Sequence, residues 1–233
     1  MVDPKATNAQ CALAPYLEAA LLVPHEPVRT VASRFFFFGP QRSGEAQVAK
    51  ALAHEPSLVI GIDFLFWYAY GDAPSEKERL RRLDEGLELL TQLHCPLVLG
   101  DIPDASAAAN GMLRPAQIPA VRTIAAANQR IKEWVDGREQ TALVSLEAFM
   151  RAARENQPLK IRRRQWAETK SLLQPDKLHP SAEGAVALTL AILDAVLTAQ
   201  ISAGETEVRW DLEELAAKAR TSPARMSEAS TGE

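Results

Sequence analysis

Asp176 and His179 are the residues whose types and spacing point most directly to chemistry. They stand in the sequence Asp176-Lys177-Leu178-His179-Pro180, just ahead of a long apolar segment. A short turn there can present both side chains to one cleft, where the carboxylate holds the imidazole in one tautomer and stabilises its charged form. Such a histidine can take a proton from a nucleophile and return it to a leaving group. The spacing therefore predicts half of a hydrolytic site, although a simple loop before a helix uses the same residue types.

Alternating strand and helix patterns surround this pair of residues. Segments rich in β-branched and aromatic residues are typical of buried strands and lie at Val28–Phe38, Leu58–Trp67, Pro96–Ile102 and Thr141–Leu146. Apolar residues at spacings of three and four predict helices at Glu45–His54, Ser75–Leu93, Ile118–Val135 and Ala182–Leu197. This order predicts a three-layer α/β/α sandwich with a parallel sheet of four to five strands.

The predicted sheet would bring several polar segments to one edge. Parallel sheets bind ligands at the carboxyl ends of their strands. Here those ends carry Gly39–Gly44, then Asp63, then Gly100–Pro103. The loop that carries Asp176 and His179 follows the last strand, after an Arg-rich segment with a helical pattern. We therefore expect these groups to face one another at the carboxyl edge.

Composition limits the classes of partner. The chain has 233 residues, of which 47% are hydrophobic, so it can fill a substantial core. Its 26 basic and 30 acidic residues are well mixed and give a formal net charge of −4, which argues against a nucleic-acid partner. No apolar run reaches the ~20 residues that a membrane helix needs. A small, neutral or weakly charged ligand is the expected partner.

We expect one domain over residues 1–203, followed by a polar tail over 204–233. The tail pattern predicts a short helix near Trp210–Ala219, and its last dozen residues have the composition of a disordered segment. The start of the sequence shows no secretory leader, so we expect a cytoplasmic protein, with an upstream signal peptide left open if the coding frame begins earlier.

Metal and cofactor chemistry have little support in the sequence. Four histidines, at positions 25, 54, 94 and 179, are scattered without the spacing of metal ligands. Cys11 and Cys95 are too few and too far apart to predict a disulfide framework. We expect neither a metal nor an organic cofactor.

The order of elements, closed by Asp-x-x-His-Pro and a helix, resembles the SGNH or GDSL-type hydrolases over about Ala6–Ala199. The resemblance implies a flavodoxin-like fold and hydrolysis of small ester substrates by serine, histidine and aspartate. Asp176 and His179 would be the acid and the base. Gly44 would donate its N–H to the oxyanion, and Asp63 stands where the family has an oxyanion-binding Asn.

Two departures from the family pattern concern the oxyanion and the nucleophile. An ionised Asp63 would repel an oxyanion, whereas a protonated one would donate to it, and a strand-end Asp can also cap the next turn. The family's Gly-Asp-Ser block falls on Val2–Thr7, which contains no serine, and no strand precedes it. The chain is then either a truncated or mis-started hydrolase or a degenerate relative that acts as a non-catalytic binding module. Ser43 is the candidate substitute nucleophile, although the pattern favours a turn residue at this position.

A third hypothesis concerns nucleotide binding. Gly39-Pro40-Gln41-Arg42-Ser43-Gly44-Glu45-Ala46 resembles a phosphate-binding P-loop at its first six positions. The phosphate-binding lysine of that motif is replaced by Glu45, and the magnesium-binding hydroxyl by Ala46. This reversed charge disfavours a nucleotide and favours a tight turn between strand and helix.

Overall fold

A computed structural model describes residues 12–33, 35–201 and 207–222. The helices among them are α1 (Ala14–Ala20), α2 (Pro40–Leu52), α3 (Phe66–Ala69), α4 (Glu76–Leu90), α5 (Val121–Asp136), α6 (Leu146–Glu155), α7 (Ala182–Ala199) and α8 (Leu212–Arg220). The strands are β1 (Val59–Gly61), β2 (Leu97–Gly100), β3 (Thr141–Val144), β4 (Leu159–Ile161) and β5 (Arg164–Trp166). Short 3-10 segments lie at Phe36–Phe38, Ser106–Ala108, Pro115–Gln117 and Lys170–Leu172.

These residues form two compact units. The first unit takes its described residues from Met1–Thr30, Ala152–Asp194 and Gly204–Glu233. The second unit takes them from Val31–Arg151 and Ala195–Ala203. Asp176 and His179 therefore belong to the first unit, whereas Ser43, Gly44 and Asp63 belong to the second.

A parallel sheet forms the centre of the second unit. Its order is β1-β2-β3, with Leu97 opposite Val59 on one side and Thr141 on the other. The middle strand is fully buried at Leu97, Val98 and Leu99, which explains why it reads as a continuous apolar run. The prediction of an α/β protein with a parallel sheet is confirmed, and three of the four predicted strand segments contain its strands.

The strand predicted at Val28–Phe38 is wrong. Residues 28–33 have no regular structure, and Phe36–Phe38 forms a 3-10 turn. Only Phe36 is buried, with its ring 5.6 Å from that of Phe64, while Phe35 and Phe38 are 67% and 76% exposed. Strand preference reflects packing against neighbouring strands, and these side chains have none among the described residues. The described part of the parallel sheet therefore has three strands.

Within the second unit, a buried arginine ties helix α4 to its neighbouring segments. Ser75 caps the helix by accepting the N–H of Glu78 at 3.2 Å. Arg79 is only 3% exposed and donates to four backbone carbonyls, at the end of α3 and in the segments that follow α3 and precede α5. These carbonyls are those of Ala69, Gly71, Ala116 and Gln117. These bonds satisfy a charge that would otherwise be costly to bury. Helix α4 also packs against α2, α3 and α5.

In the first unit, α8 packs on α1. An antiparallel bridge joins Leu21 to Val208, and the N–H of Arg209 donates to Ala20 O at 2.8 Å. Strands β4 and β5 form an antiparallel hairpin in the same unit. The helix predicted near Trp210–Ala219 is confirmed as α8, whereas residues 223–233 of the predicted disordered end lie outside the described residues.

Helix α7 is mostly apolar, with Glu183 and Asp194 as its two charged residues. By length and composition alone its 18 residues could cross a membrane, as no other described helix could. About 56% of that stretch is buried inside the structure, and Ala185, Leu190 and Ile192 are fully buried. The buried core helix of a folded protein has the same composition.

Candidate functional site

The Asp176–His179 segment is a closed turn with a defined backbone. Residues 174–177 form a β-turn, which the hydrogen bond from Lys177 N–H to Gln174 O closes at 3.0 Å. Pro175 stands at the second position of this turn, where proline is favoured. The N–H of Gln174 donates to His179 O at 2.8 Å, so the segment returns on itself. Lys177 has φ of +62°, a left-handed conformation that is uncommon for a residue with a side chain. Such local strain persists where surrounding contacts fix the backbone, and it is frequent at functional sites.

The carboxylate of Asp176 accepts three hydrogen bonds inside this turn. Oδ1 accepts the N–H groups of Leu178 and His179, each at 3.0 Å. Oδ2 lies 2.8 Å from Nδ1 of His179. The short side chain of Asp bonds the backbone two residues ahead in an Asx turn, and this turn aims its second oxygen at the imidazole. The carboxylate–imidazole contact expected from the spacing is therefore present.

The electrostatics of this pair favour an ionised carboxylate. Burial by itself raises the pKa of Asp176, but hydrogen bonds from Leu178 N–H and from the ring and N–H of His179 outweigh burial and lower the pKa. An ionised Asp176 accepts a hydrogen bond from Nδ1–H, and in the neutral imidazole that has this tautomer Nε2 carries the lone pair. The side chains are 32% exposed for His179 and 25% for Asp176, so the imidazole is accessible without being fully solvated.

The start of helix α7 supports the turn from the other side. Ser181 caps the helix by accepting Gly184 N–H at 3.0 Å, and its hydroxyl donates to Ser171 O at 2.6 Å. Gly184 is required there, because a Cβ at this position would stand 1.9 Å from Leu172 O. The helix can therefore approach the 3-10 segment closely, and the turn is held between the two.

A nucleophile is not paired with His179 in the described residues. Nε2 has no hydrogen-bond partner within residues 12–33, 35–201 and 207–222. The hydroxyls nearest in sequence, those of Ser171 and Ser181, donate instead to Glu183 and to Ser171 O. The Val2–Thr7 segment aligned with the family's nucleophile block lies outside the described residues, as does Cys11.

Ser43 and Gly44 lie inside a helix rather than in a loop. Helix α2 begins at Pro40, and the N–H of Ser43 already bonds Gly39 O at 2.9 Å. The helical pattern therefore directs the next N–H, that of Gly44, to Pro40 O. An oxyanion role for Gly44 would need this helix start to open. The same segment has no phosphate-binding loop conformation, since its residues are helical from Pro40 onward.

Asp63 follows strand β1 at the carboxyl edge of the sheet. Its side chain is exposed, and its carbonyl oxygen accepts the N–H of Phe66 at 3.0 Å at the start of α3. An ionised carboxylate at this position has no proton to donate to an oxyanion. Asp63 thus lies at a strand end, as the sequence pattern predicted. This position alone does not give it the oxyanion-binding role that the family's Asn has.

A second carboxylate at this edge was not among the predicted site residues. Asp101 follows β2, and its two oxygens accept the Ser145 hydroxyl at 2.7 Å and Glu147 N–H at 2.8 Å. Burial raises the pKa of Asp101 despite these hydrogen bonds. Ser145 also caps α6 by accepting Ala148 N–H, so the pair clamps the ends of β2 and β3 to the helix start. Asp101 and Ser145 both stand inside strand segments predicted from the sequence, Pro96–Ile102 and Thr141–Leu146, so no local pattern identified this pair.

The described residues contain no cluster of three or more His, Cys, Asp or Glu side chains that could hold a metal ion. Comparisons with family models, curated proteins and solved structures find no match for this chain. The candidate site therefore rests on the geometry of Asp176 and His179.

Proposed function

We propose that this protein is an SGNH-like hydrolase that cleaves ester bonds with His179 as general base and acid. The observation that carries the proposal is the 2.8 Å contact between Nδ1 of His179 and an Asp176 carboxylate that two backbone N–H groups hold in place. The three parallel strands would then belong to the four- or five-stranded, flavodoxin-like sheet of a three-layer sandwich. A small-molecule ester is the proposed substrate.

The proposed reaction moves one proton through Nε2 of His179. Nε2 takes the proton of a hydroxyl nucleophile while the oxygen attacks the ester carbonyl carbon, and the carbonyl electron pair becomes an oxyanion. Asp176 stabilises the imidazolium that forms. The oxyanion collapses, the C–O bond to the alcohol breaks, and the alcohol leaves with the proton from Nε2. Water then repeats the same steps on the acyl group and releases the acid.

Hydrolysis of p-nitrophenyl acetate and butyrate tests this role. We expect slow turnover, with His179→Ala lowering kcat/KM by about 10²- to 10⁴-fold, the usual contribution of a general base. Asp176→Asn keeps the turn but removes the charge that stabilises the imidazolium, so it should lower kcat by at least about 10²-fold. His94→Ala is the matched control and should leave kcat/KM unchanged.

The nucleophile is found by covalent labelling. A fluorophosphonate reacts with an activated serine hydroxyl, and mass spectrometry of the digested protein locates the labelled peptide. Labelling that His179→Ala abolishes would support the proposal and name the serine. Labelling or turnover lost in Ser43→Ala would assign the role to Ser43. Turnover equal in wild type and His179→Ala would refute the proposed mechanism.

The second candidate function is ligand binding without catalysis. The protein would then keep the SGNH-like fold and act as a binding module. The observation that favours it is the helical position of Gly44, whose N–H is directed to Pro40 O instead of a substrate. An absence of both turnover and fluorophosphonate labelling in a folded protein would select this alternative.

A further inference from the structure

A groove lies between helices α2 and α4 in the second unit. Its volume is about 690 Å³, within the range of small-molecule sites. Side chains from both helices and from α3 line it, among them Glu45, Tyr68, Arg81, Asp84, Glu85 and Glu88. None of these residues takes part in the proposed hydrolytic site.

Tyr68 brings a hydroxyl without a partner to this groove. The side chain is 1% exposed, and its Oη makes no hydrogen bond to any residue that the structure describes. Proteins pair almost all buried hydroxyls, because an unpaired one costs free energy. Gly44 makes room for it, since a Cβ there would stand 2.1 Å from Oη. The hydroxyl thus reaches the seam between α2 and α4, where a ligand could pair with it.

The charge lining the groove is strongly negative. Four carboxylates line it against one guanidinium, that of Arg81. Arg81 pairs with Glu85, and Asp84 pairs with Arg130 outside the groove. Glu45 and Glu88 form no ion pair with the described residues. Burial, followed by the carboxylates of Glu45 and Glu85, raises the pKa of Tyr68, which keeps the phenol neutral and its oxygen able to accept a hydrogen bond.

We propose that the groove binds a small organic polyamine through Tyr68 and the carboxylates of Glu45 and Glu88. A primary ammonium carries three N–H donors, so one can bond the Tyr68 oxygen while others bond a carboxylate. A second ammonium on the same molecule neutralises the remaining unpaired acid. An anion is disfavoured by the lining charge, and an uncharged apolar ligand would leave the hydroxyl unpaired. The proposal does not depend on the hydrolytic function.

Isothermal titration of the full chain with spermidine in 150 mM NaCl tests this site. Tyr68→Phe keeps the ring and removes the hydroxyl, and we expect affinity to fall about tenfold, the value of one hydrogen bond to a charged group. Glu45→Gln should weaken binding up to about fivefold. Glu139→Gln is the matched control, because Glu139 is exposed and forms no ion pair among the described residues. Its affinity should equal that of wild type.

Three outcomes would overturn the proposal. These are no binding of spermidine at millimolar concentration, equal affinity in Tyr68→Phe and wild type, and equal loss in Glu139→Gln and Glu45→Gln. Equal affinity in Tyr68→Phe would mean that the hydroxyl takes no part in binding, and equal loss in the two Glu variants would mean that spermidine binds by net charge alone. Circular dichroism checks that each variant is folded, and Glu45→Gln, a change on the exposed side of α2, keeps the test valid if Tyr68→Phe does not fold.

Discussion

At the scale of single residues, Asp176 has two tasks, one for each of its carboxylate oxygens. It closes the backbone turn through Leu178 and His179 N–H, and it fixes the orientation of the imidazole. Because the hydrogen bonds favour the charged form, the pKa of Asp176 is lowered from its ordinary value of 3.8. A carboxyl with a lowered folded-state pKa stabilises the fold above its unfolded pKa and loses that contribution as pH falls through the folded one.

Asp176→Asn should therefore lower the free energy of unfolding by about 1–2 kcal/mol at pH 7, since it removes charge-assisted hydrogen bonds. The difference from wild type should stay constant down to about pH 4 and shrink below it, as the wild-type carboxylate becomes protonated. Urea unfolding between pH 2.5 and 7 measures this. Asp136→Asn, an exposed carboxylate paired with Lys132, is the control and should cost less than about 0.5 kcal/mol. A difference that does not change with pH would contradict the role of the ionised Asp176.

At the scale of elements, the contact between α2 and α3 depends on one glycine. Gly44→Ala would place a methyl group 2.1 Å from Tyr68 Oη and 3.2 Å from both Leu89 and Phe64. Overpacking of this kind lowers the free energy of unfolding by about 1–3 kcal/mol. The better helix propensity of alanine acts in the opposite direction and contributes ~1 kcal/mol. Tyr68→Phe removes the closest atom. We expect Gly44→Ala to be clearly less destabilising in the Tyr68→Phe background, with a coupling energy of about 1 kcal/mol or more.

A double-mutant cycle in urea measures that coupling. Gly39→Ala is a matched control, because a Cβ at Gly39 meets no atom within 4 Å, and its cost should be the same in both backgrounds. Equal effects of Gly44→Ala with and without the Tyr68 hydroxyl would show that the helices separate instead of clashing at this point.

The element scale also shows what the sequence could predict. The buried run around Leu97–Leu99 has a central position in the sheet, so its apolar pattern identified it. The aromatic run at Phe35–Phe38 has equal strand preference, but the structure buries only Phe36 of these residues, and preference alone does not supply a partner strand. The Asp176–His179 contact was predictable because its two members are only three positions apart in the sequence. The turn that contains Pro175 brings them together without any distant segment. The Asp101–Ser145 contact was not predictable, since 44 residues separate its members.

At the scale of the whole molecule, each compact unit is built from segments that lie far apart in the sequence. Residues 204–233 read as a polar tail, yet their described part joins the unit that also contains α1 and the Asp176–His179 turn. The bridge between Leu21 and Val208 spans almost the entire chain. Long-range contacts of this kind leave little local signal, because neither segment identifies its distant partner.

The last prediction tests whether this distant segment is integral to the fold. Leu215 in α8 is fully buried, whereas Lys218, one turn later, is exposed. Leu215→Ala should therefore lower the free energy of unfolding by about 2–5 kcal/mol through the cavity that it leaves, and Lys218→Ala should change it by less than about 0.5 kcal/mol. Urea unfolding followed by circular dichroism compares the two variants at one pH. If Leu215→Ala were as stable as Lys218→Ala, α8 would be a dispensable tail, and its packing on α1 would contribute nothing to stability.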